Sequence, residues 1–330
     1  MFPAFGRSMR RRKVIALIGS VAAWPHVAWA QNAPIPVVGL LSPEAPTSSD
    51  VNGLREGLRE LGYTEGSNVH IEYRFAKGSF DQLSHFAKEL VALKVDLIVT
   101  FVTQASIEAK KATTTIPIVM VGVGDPVGSG LIASFNRPGG NVTGTSSVAT
   151  DVVSKQLGLL KEVMPNATRI AALWNPANPI FQAQQMKQTE AAAQSLGLQL
   201  QLLEARSTNE FESAFAAVEG TRVLFIMIDP LFINNTKMLA ELSLKYRLVS
   251  MFGYRTFADA GGLMAYGPNY FDIYKRTAPY IDKILKGARP ADLPVEQTTT
   301  FQFIINLKAA KALGVAIPAS LVAAADEIIE

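Results

Sequence analysis

The chain has 330 residues, 48% hydrophobic and 18% charged, which is enough apolar material for two cores or lobes and too little charge for a disordered chain. Its formal charge of +3 is carried by the first thirty residues, where Arg7, Arg10, Arg11, Arg12 and Lys13 meet no acidic partner, and no later Lys/Arg stripe offers a nucleic-acid surface. Cysteine is absent, which excludes disulfides, thiolate metal clusters and a lipid-bearing amino-terminal Cys.

The first element reads as an export signal: a basic stretch from Arg10 to Lys13, an apolar run over 14–23, and Ala28-Trp29-Ala30 before Gln31 as the cleavage pattern. The run ends near Pro25 and falls well short of the ~20 residues a membrane span needs. Arg11-Arg12 before Lys13-Val14-Ile15 resembles a twin-arginine signal lacking the usual Phe-Leu. General secretory export is the alternative, and Met9 is an alternative start. The mature protein is expected as a soluble periplasmic monomer cleaved after Ala30.

From Ile35 onward, continuous β-branched runs alternate with amphipathic stretches, the pattern of parallel strands covered on both faces. Strands are predicted over 36–41, 69–73, 95–101 and 116–123, with helices over 50–61, 80–93 and 104–112. The Gly/Pro/Asn-rich stretch 122–144 reads as loops and a crossing between lobes. A second series follows, with strands over 169–174, 198–203, 223–228 and 248–252 and helices over 152–163, 182–196, 210–218 and 231–246. Both series contain a helix ending in Leu-Gly (Leu61-Gly62 and Leu196-Gly197), where glycine supplies the left-handed cap. The remainder reads as a strand over 263–265, a helix over 269–286, an extended run over 297–303 and a helix over 306–313. The fold class is therefore α/β, two Rossmann-like lobes with parallel sheets, the chain crossing back to complete each. The boundaries expected are a signal at 1–30, one lobe from 35–143 plus 268–296, and the other from 144–267 plus 297–330.

Catalytic parts are missing. Beyond the signal only His70 and His85 remain, and there is no HExxH, no Cys/His cluster and no G-x-S-x-G elbow. The run Gly122-Val123-Gly124-Asp125-Pro126-Val127-Gly128 follows an apolar strand, but its third glycine comes one residue late and Pro126 removes an N–H donor from the loop. No cofactor or metal is expected. What recurs instead is a polar or turn residue just after successive strands: Ser42, Thr103, Gln104, Asp125, Asn175, Asp229 and Tyr254. Ligands bind beyond the carboxyl ends of strands in open parallel sheets, so these positions would converge between facing lobes. The competing reading of each Asp, Asn or Ser is an ordinary helix cap.

Several segments carry a family resemblance along the whole chain. They include Gly57-Leu58 with Leu61-Gly62-Tyr63, Asn68-Val69 with Ile71-Glu72-Tyr73-Arg74, Gly124-Asp125-Pro126-Val127, and Asn136-Arg137-Pro138-Gly139-Gly140-Asn141-Val142-Thr143-Gly144. Asn175-Pro176-Ala177-Asn178-Pro179, Ala260-Gly261-Gly262-Leu263-Met264 and Ala291-Asp292-Leu293-Pro294-Val295 follow. With these the chain resembles the substrate-binding components of ABC transporters related to the tryptophan/tyrosine-binding proteins. The resemblance implies a type I periplasmic-binding fold, three crossings between the lobes, a small-molecule ligand enclosed by hinge closure, and permease and ATPase subunits as membrane partners. It departs from the family after the third strand, where Val102-Thr103-Gln104 stands in place of a frequent Gly-Gly.

On this reading an amino acid or related compound is gripped at both ends. The helix opening at 47–50 offers N–H groups to a carboxylate, Asp125 or Asp229 receives an ammonium, and Phe181 and Tyr254 cover an apolar part. Phe181 reads equally as core at a helix start. The alternatives are a ligand-sensing module for a membrane signalling protein, an enzyme working with a single Asp, and a sugar receptor, for which Trp174 is the one Trp outside the signal.

Overall fold

A computed structural model describes residues 34–43, 49–147, 152–298 and 300–330, with backbone alone at 49–50 and 179–181. The signal and its cleavage point lie outside the described residues. From Pro36 to Glu330 the chain forms one unit built on two sheets.

The first sheet orders its strands β2-β1-β3-β4-β5-β11. These are β1 (Val37–Ser42), β2 (His70–Phe75), β3 (Leu97–Phe101), β4 (Ile118–Val123), β5 (Val142–Ser146) and β11 (Glu296–Gln297), and every neighbouring pair is parallel. The inner strands β3 and β4 are buried at every residue, while the edge strand β2 is only half-buried, as a sheet sandwiched between helix layers requires. Alternate residues of β1 serve different cores. Val38 and Leu40 belong to one core cluster, whereas Leu41 packs with Leu83, Ala87 and Leu90 of α2 (Asp81–Ala92) and Ala105 and Ala109 of α3 (Val102–Ala112).

The second sheet runs β7-β6-β8-β9-β10-β12-β13. It comprises β6 (Arg169–Trp174), β7 (Gln199–Glu204), β8 (Val223–Ile226), β9 (Val249–Phe252), β10 (Met264–Pro268), β12 (Phe301–Asn306) and β13 (Glu327–Ile329). Only β10 and β12 pair antiparallel. Helices α4 (Val153–Val163), α5 (Pro179–Ser195), α6 (Phe211–Ala216), α7 (Pro230–Ile233), α8 (Thr236–Lys245) and α9 (Arg255–Asp259) belong to this half.

The chain passes between the sheets three times. It leaves the first sheet after β5, returns after β10 into α10 (Tyr270–Lys275) and α11 (Ala278–Leu285), and crosses again between β11 and β12. The returning α10 packs on α1 (Ser49–Glu60) at a glycine seam. A Cβ on Gly53 would lie 2.4 Å from the Phe271 carbonyl oxygen, and one on Gly57 would lie 2.4 Å from that of Lys275. Gly57 is therefore a packing residue, since any side chain would push α10 off the sheet.

Four expectations are corrected. The stretch read as loops up to 144 contains β5, which keeps residues through Ser146 in the first sheet, past the expected change at 143/144. The helix expected over 231–246 breaks into α7 and α8 at Asn234-Asn235, and that over 269–286 breaks into α10 and α11 at Arg276-Thr277. The second break has a plain cause: Pro279 has no N–H for the Lys275 carbonyl, and at the break the Thr277 N–H donates to the Tyr274 carbonyl at 3.2 Å while its Oγ1 donates to the Ile273 carbonyl at 2.9 Å. Finally, the extended run read over 297–303 is not one strand: β11 ends at Gln297 in the first sheet and β12 begins at Phe301 in the second. One core cluster runs through both halves, from Val38 and Phe101 to Phe252 and Tyr254, so the lobes meet across buried side chains.

Candidate functional site

Between the lobes lies a narrow, nearly closed cleft, lined from the first lobe by Val102, Thr103 and Gln104 after β3, Gly122 and Gly124 around the end of β4, Ser147 after β5, and Tyr270 of α10. The second lobe contributes Asn178 at the start of α5, Ile228, Pro230 and Ile233 around α7, and Tyr254 after β9. All of the strand-borne positions sit at carboxyl ends, where the sheets cannot cover their own edges.

The turn from β3 into α3 is strained. Val102 holds φ at +60°, a left-handed conformation that a β-branched residue adopts at a cost of about 1–2 kcal/mol. The strain places Thr103 and Gln104 on the cleft wall at the first turn of α3, whose leading N–H groups have no partners within the helix. Val102→Gly is expected to leave stability within about 1 kcal/mol of wild type, because relief of strain offsets lost packing and added chain entropy. A thermal melt checks this, and a loss above about 2 kcal/mol would show that the Val102 side chain is a packing element.

Behind the opposite wall sits Asp229, fully buried. Its Oδ1 accepts from the Leu231 N–H at 2.9 Å and from Asn175 Nδ2 at 3.0 Å, and its Oδ2 accepts from Asn178 Nδ2 at 2.8 Å. Burial pushes its carboxyl above the usual range, and the three donors oppose that push. Asn178 then faces outward: Gln104 from the other lobe donates through Nε2 to Asn178 Oδ1. Asn178 occupies the N-cap position of α5, yet its side chain makes no cap bond. Nearby, Tyr254 and Tyr270 stack across the lobes with ring centroids 3.9 Å apart and planes 11° from parallel, backed by Phe252 at 5.8 Å from Tyr254.

The residues singled out from sequence divide three ways. Thr103, Gln104 and Tyr254 line the cleft. Asn175 and Asp229 lie behind it as supports, Asn175 also accepting from the Ala177 N–H and Asp229 capping α7. Asp125 caps its own turn by accepting from Gly128 N–H at 2.8 Å and reaches the other lobe through Gln184 Nε2 at 3.3 Å. Ser42 is buried at the end of β1, apart from the cleft lining. The Phe181 side chain and the 44–48 part of the opening of α1 lie outside the described residues. Asn178, Ile228, Ile233 and Tyr270 were not singled out. Asn178 carries a visible signal, the second Asn of Asn175-Pro176-Ala177-Asn178-Pro179, but an Asn before a helix looks like a cap.

Among the described residues no three or more His, Asp or Glu side chains gather as a metal would need, and no helix is long and apolar enough to cross a membrane. The two-lobed arrangement is the type I periplasmic-binding fold, shared with distant solute-binding structures. A Streptococcus pneumonia ABC domain in complex with L-Trp is 29% identical, with 89% of this chain and 99% of that chain covered and a TM-score of 0.81. A ligand-free, open substrate binding protein with adhesive properties from Clostridium difficile is 25% identical, with 90% and 99% covered, and scores 0.63. In sequence, a tyrosine-binding protein of Clostridioides difficile (strain R20291) is 26% identical over 262 residues, 79% of this chain and 75% of the relative. The family model described as ABC transporter substrate binding protein matches residues 34–329, and the chain belongs to that family.

Proposed function

We propose that the protein is the periplasmic receptor of an ABC importer and that its cleft takes an aromatic amino acid or a close relative, delivering it unaltered to permease and ATPase subunits. The observation that carries this reading is the amphipathic character of the cleft. The stacked Tyr254 and Tyr270 form an aromatic wall, and the polar groups of Thr103, Gln104 and Asn178 face it from both lobes. The leading N–H groups of α3 suit a carboxylate, and the tyrosine rings suit a flat apolar side chain. The names of the relatives, one in complex with L-Trp and one tyrosine-binding, point to the same class.

Hinge closure follows from the same geometry. The protein is more similar to the L-Trp complex than to the ligand-free open structure at nearly equal coverage, and Gln104–Asn178 and Tyr254–Tyr270 already bridge the lobes. A ligand enters by parting those bridges and closes the lobes by touching both. The lobes that move as bodies are taken as 35–143 plus 268–296 and 144–267 plus 297–330, each a few residues adjusted where β5 and β11 extend the first sheet. Export as a signal-cleaved monomer completes the reading.

The test is a thermal-shift panel of residues 31–330 with amino acids, small amides, purines and sugars. A ligand at 100 times its Kd stabilises the folded state by about 2.7 kcal/mol, a shift of several degrees. A shift with L-tyrosine or L-tryptophan, the compound being recovered unchanged, supports the proposal. A shift with sugars alone, or chemical conversion of the ligand, overturns it.

A further inference from the structure

Within the cleft, the polarity of one side chain is fixed by its surroundings. Two donors on Asp229 Oδ1 are not negotiable: the Leu231 N–H is backbone, and Asn175 must present Nδ2 because its Oδ1 already accepts from the Ala177 N–H at 2.9 Å. Oδ2 is left to Asn178 alone. Asn178 turns its Nδ2 inward to donate to that oxygen at 2.8 Å, and its Oδ1 is turned outward to meet Gln104. Asn178 thereby forgoes the capping bond its helix position invites.

We propose that Asp229 is a positioning residue that fixes Asn178 Oδ1 as a hydrogen-bond acceptor facing the cleft, and that this acceptor selects ligands carrying an ammonium or N–H group. The inference rests on the aromatic amino acid reading and adds which end of the ligand is read, and by what. Gln104 is half-buried and lies on the opposite lobe, so its Nε2 withdraws when the lobes part, and a ligand amine takes its place on Asn178 Oδ1. A ligand without a donor there leaves a buried acceptor unsatisfied, which corresponds to a loss of roughly 10- to 100-fold in affinity. Asp229 does this without touching ligand.

The experiment is isothermal titration of wild type, Asp229→Asn and Asn178→Ala with L-tyrosine and L-tryptophan and with their desamino analogues, 3-(4-hydroxyphenyl)propionate and indole-3-propionate. Asp229→Asn keeps the shape but puts an NH₂ where Oδ2 was, so Asn178 must turn its oxygen inward and present a donor to the cleft. Wild type is expected to favour each amino acid over its analogue by about 100-fold, and both variants to narrow that ratio to within about 3-fold. A general structural defect would weaken both members of a pair and leave their ratio intact, so an unchanged ratio in the variants overturns the proposal. Should Asp229→Asn fail to fold, Asn178→Ala decides alone. Wild type that binds the analogues as tightly as the amino acids refutes the acceptor subsite while the aromatic reading stands; wild type that binds none of the four probes refutes that reading and the subsite with it.

Discussion

Gly144→Ala is expected to cost about 3–5 kcal/mol, enough to lower the melting temperature by roughly 10 °C. Gly144 lies in β5 at φ +131°, and a Cβ there would sit 2.1 Å from the Met120 carbonyl oxygen and 2.8 Å from the Met120 nitrogen. Both obstacles are backbone atoms of β4, held in the ladder that pairs Met120 with Gly144, so no side-chain rotation relieves the clash. Strain and overpacking each contribute about 1–3 kcal/mol. Because β5 leads into the first crossing, the displaced strand would also disturb how the lobes meet. Gly158→Ala in α4 supplies the contrast: a Cβ there meets nothing within 4 Å, and the change should stabilise by up to about 1 kcal/mol through helix propensity. Urea unfolding of the two variants beside wild type gives the comparison, and a Gly144→Ala loss under about 1 kcal/mol would mean that β5 does not approach β4 as described.

Tyr254→Ala should act on stability and binding together. Tyr254 is 2% exposed and is sandwiched between Phe252 of its own lobe and Tyr270 of the other. Truncating a buried aromatic costs about 3–5 kcal/mol. The same ring is the aromatic wall of the cleft, so affinity for an aromatic ligand is expected to fall about 100-fold. The interlobe part is separable: a cycle combining Tyr254→Ala with Tyr270→Ala should report a coupling of about 0.5–1.5 kcal/mol from the stack. Zero coupling would show that the rings do not support one another, and an unchanged affinity in Tyr254→Ala would place the ligand elsewhere.

How much of this was legible in the sequence depended on whether the signal was local. The strands β3, β4 and β8 announce themselves as unbroken apolar runs because both faces are covered. β5 does not, since Val142-Thr143-Gly144-Thr145-Ser146 has the composition of a loop and becomes a strand through its approach to β4. The broken helices behave likewise: apolar periodicity runs through Asn234-Asn235 and Arg276-Thr277, and only the placed backbone reveals the interruptions.

The cleft was legible where position alone suffices. Thr103, Gln104 and Tyr254 follow strands and reach it. Tyr270 does not follow a first-lobe strand in sequence; it arrives there because α10 crosses back onto α1, a fact of topology. Asp229 and Asn178 exchange the roles their chemistry suggests. The carboxyl group is sealed behind the wall, and the neutral amide lines the cleft, because burying an acidic group requires donors around it and Asn175, Asn178 and Leu231 supply them there. Trp174, the stacking residue a sugar receptor would want, packs on the second-lobe core rather than in the cleft.

The account stands most directly on a calorimetric titration of residues 31–330 with L-tyrosine and L-tryptophan, run beside Tyr254→Ala. One ligand per chain, bound by wild type and at least about 30-fold weaker to the variant, is the result the interlobe cleft predicts. Binding that is indifferent to Tyr254, or no binding of either amino acid, would contradict it.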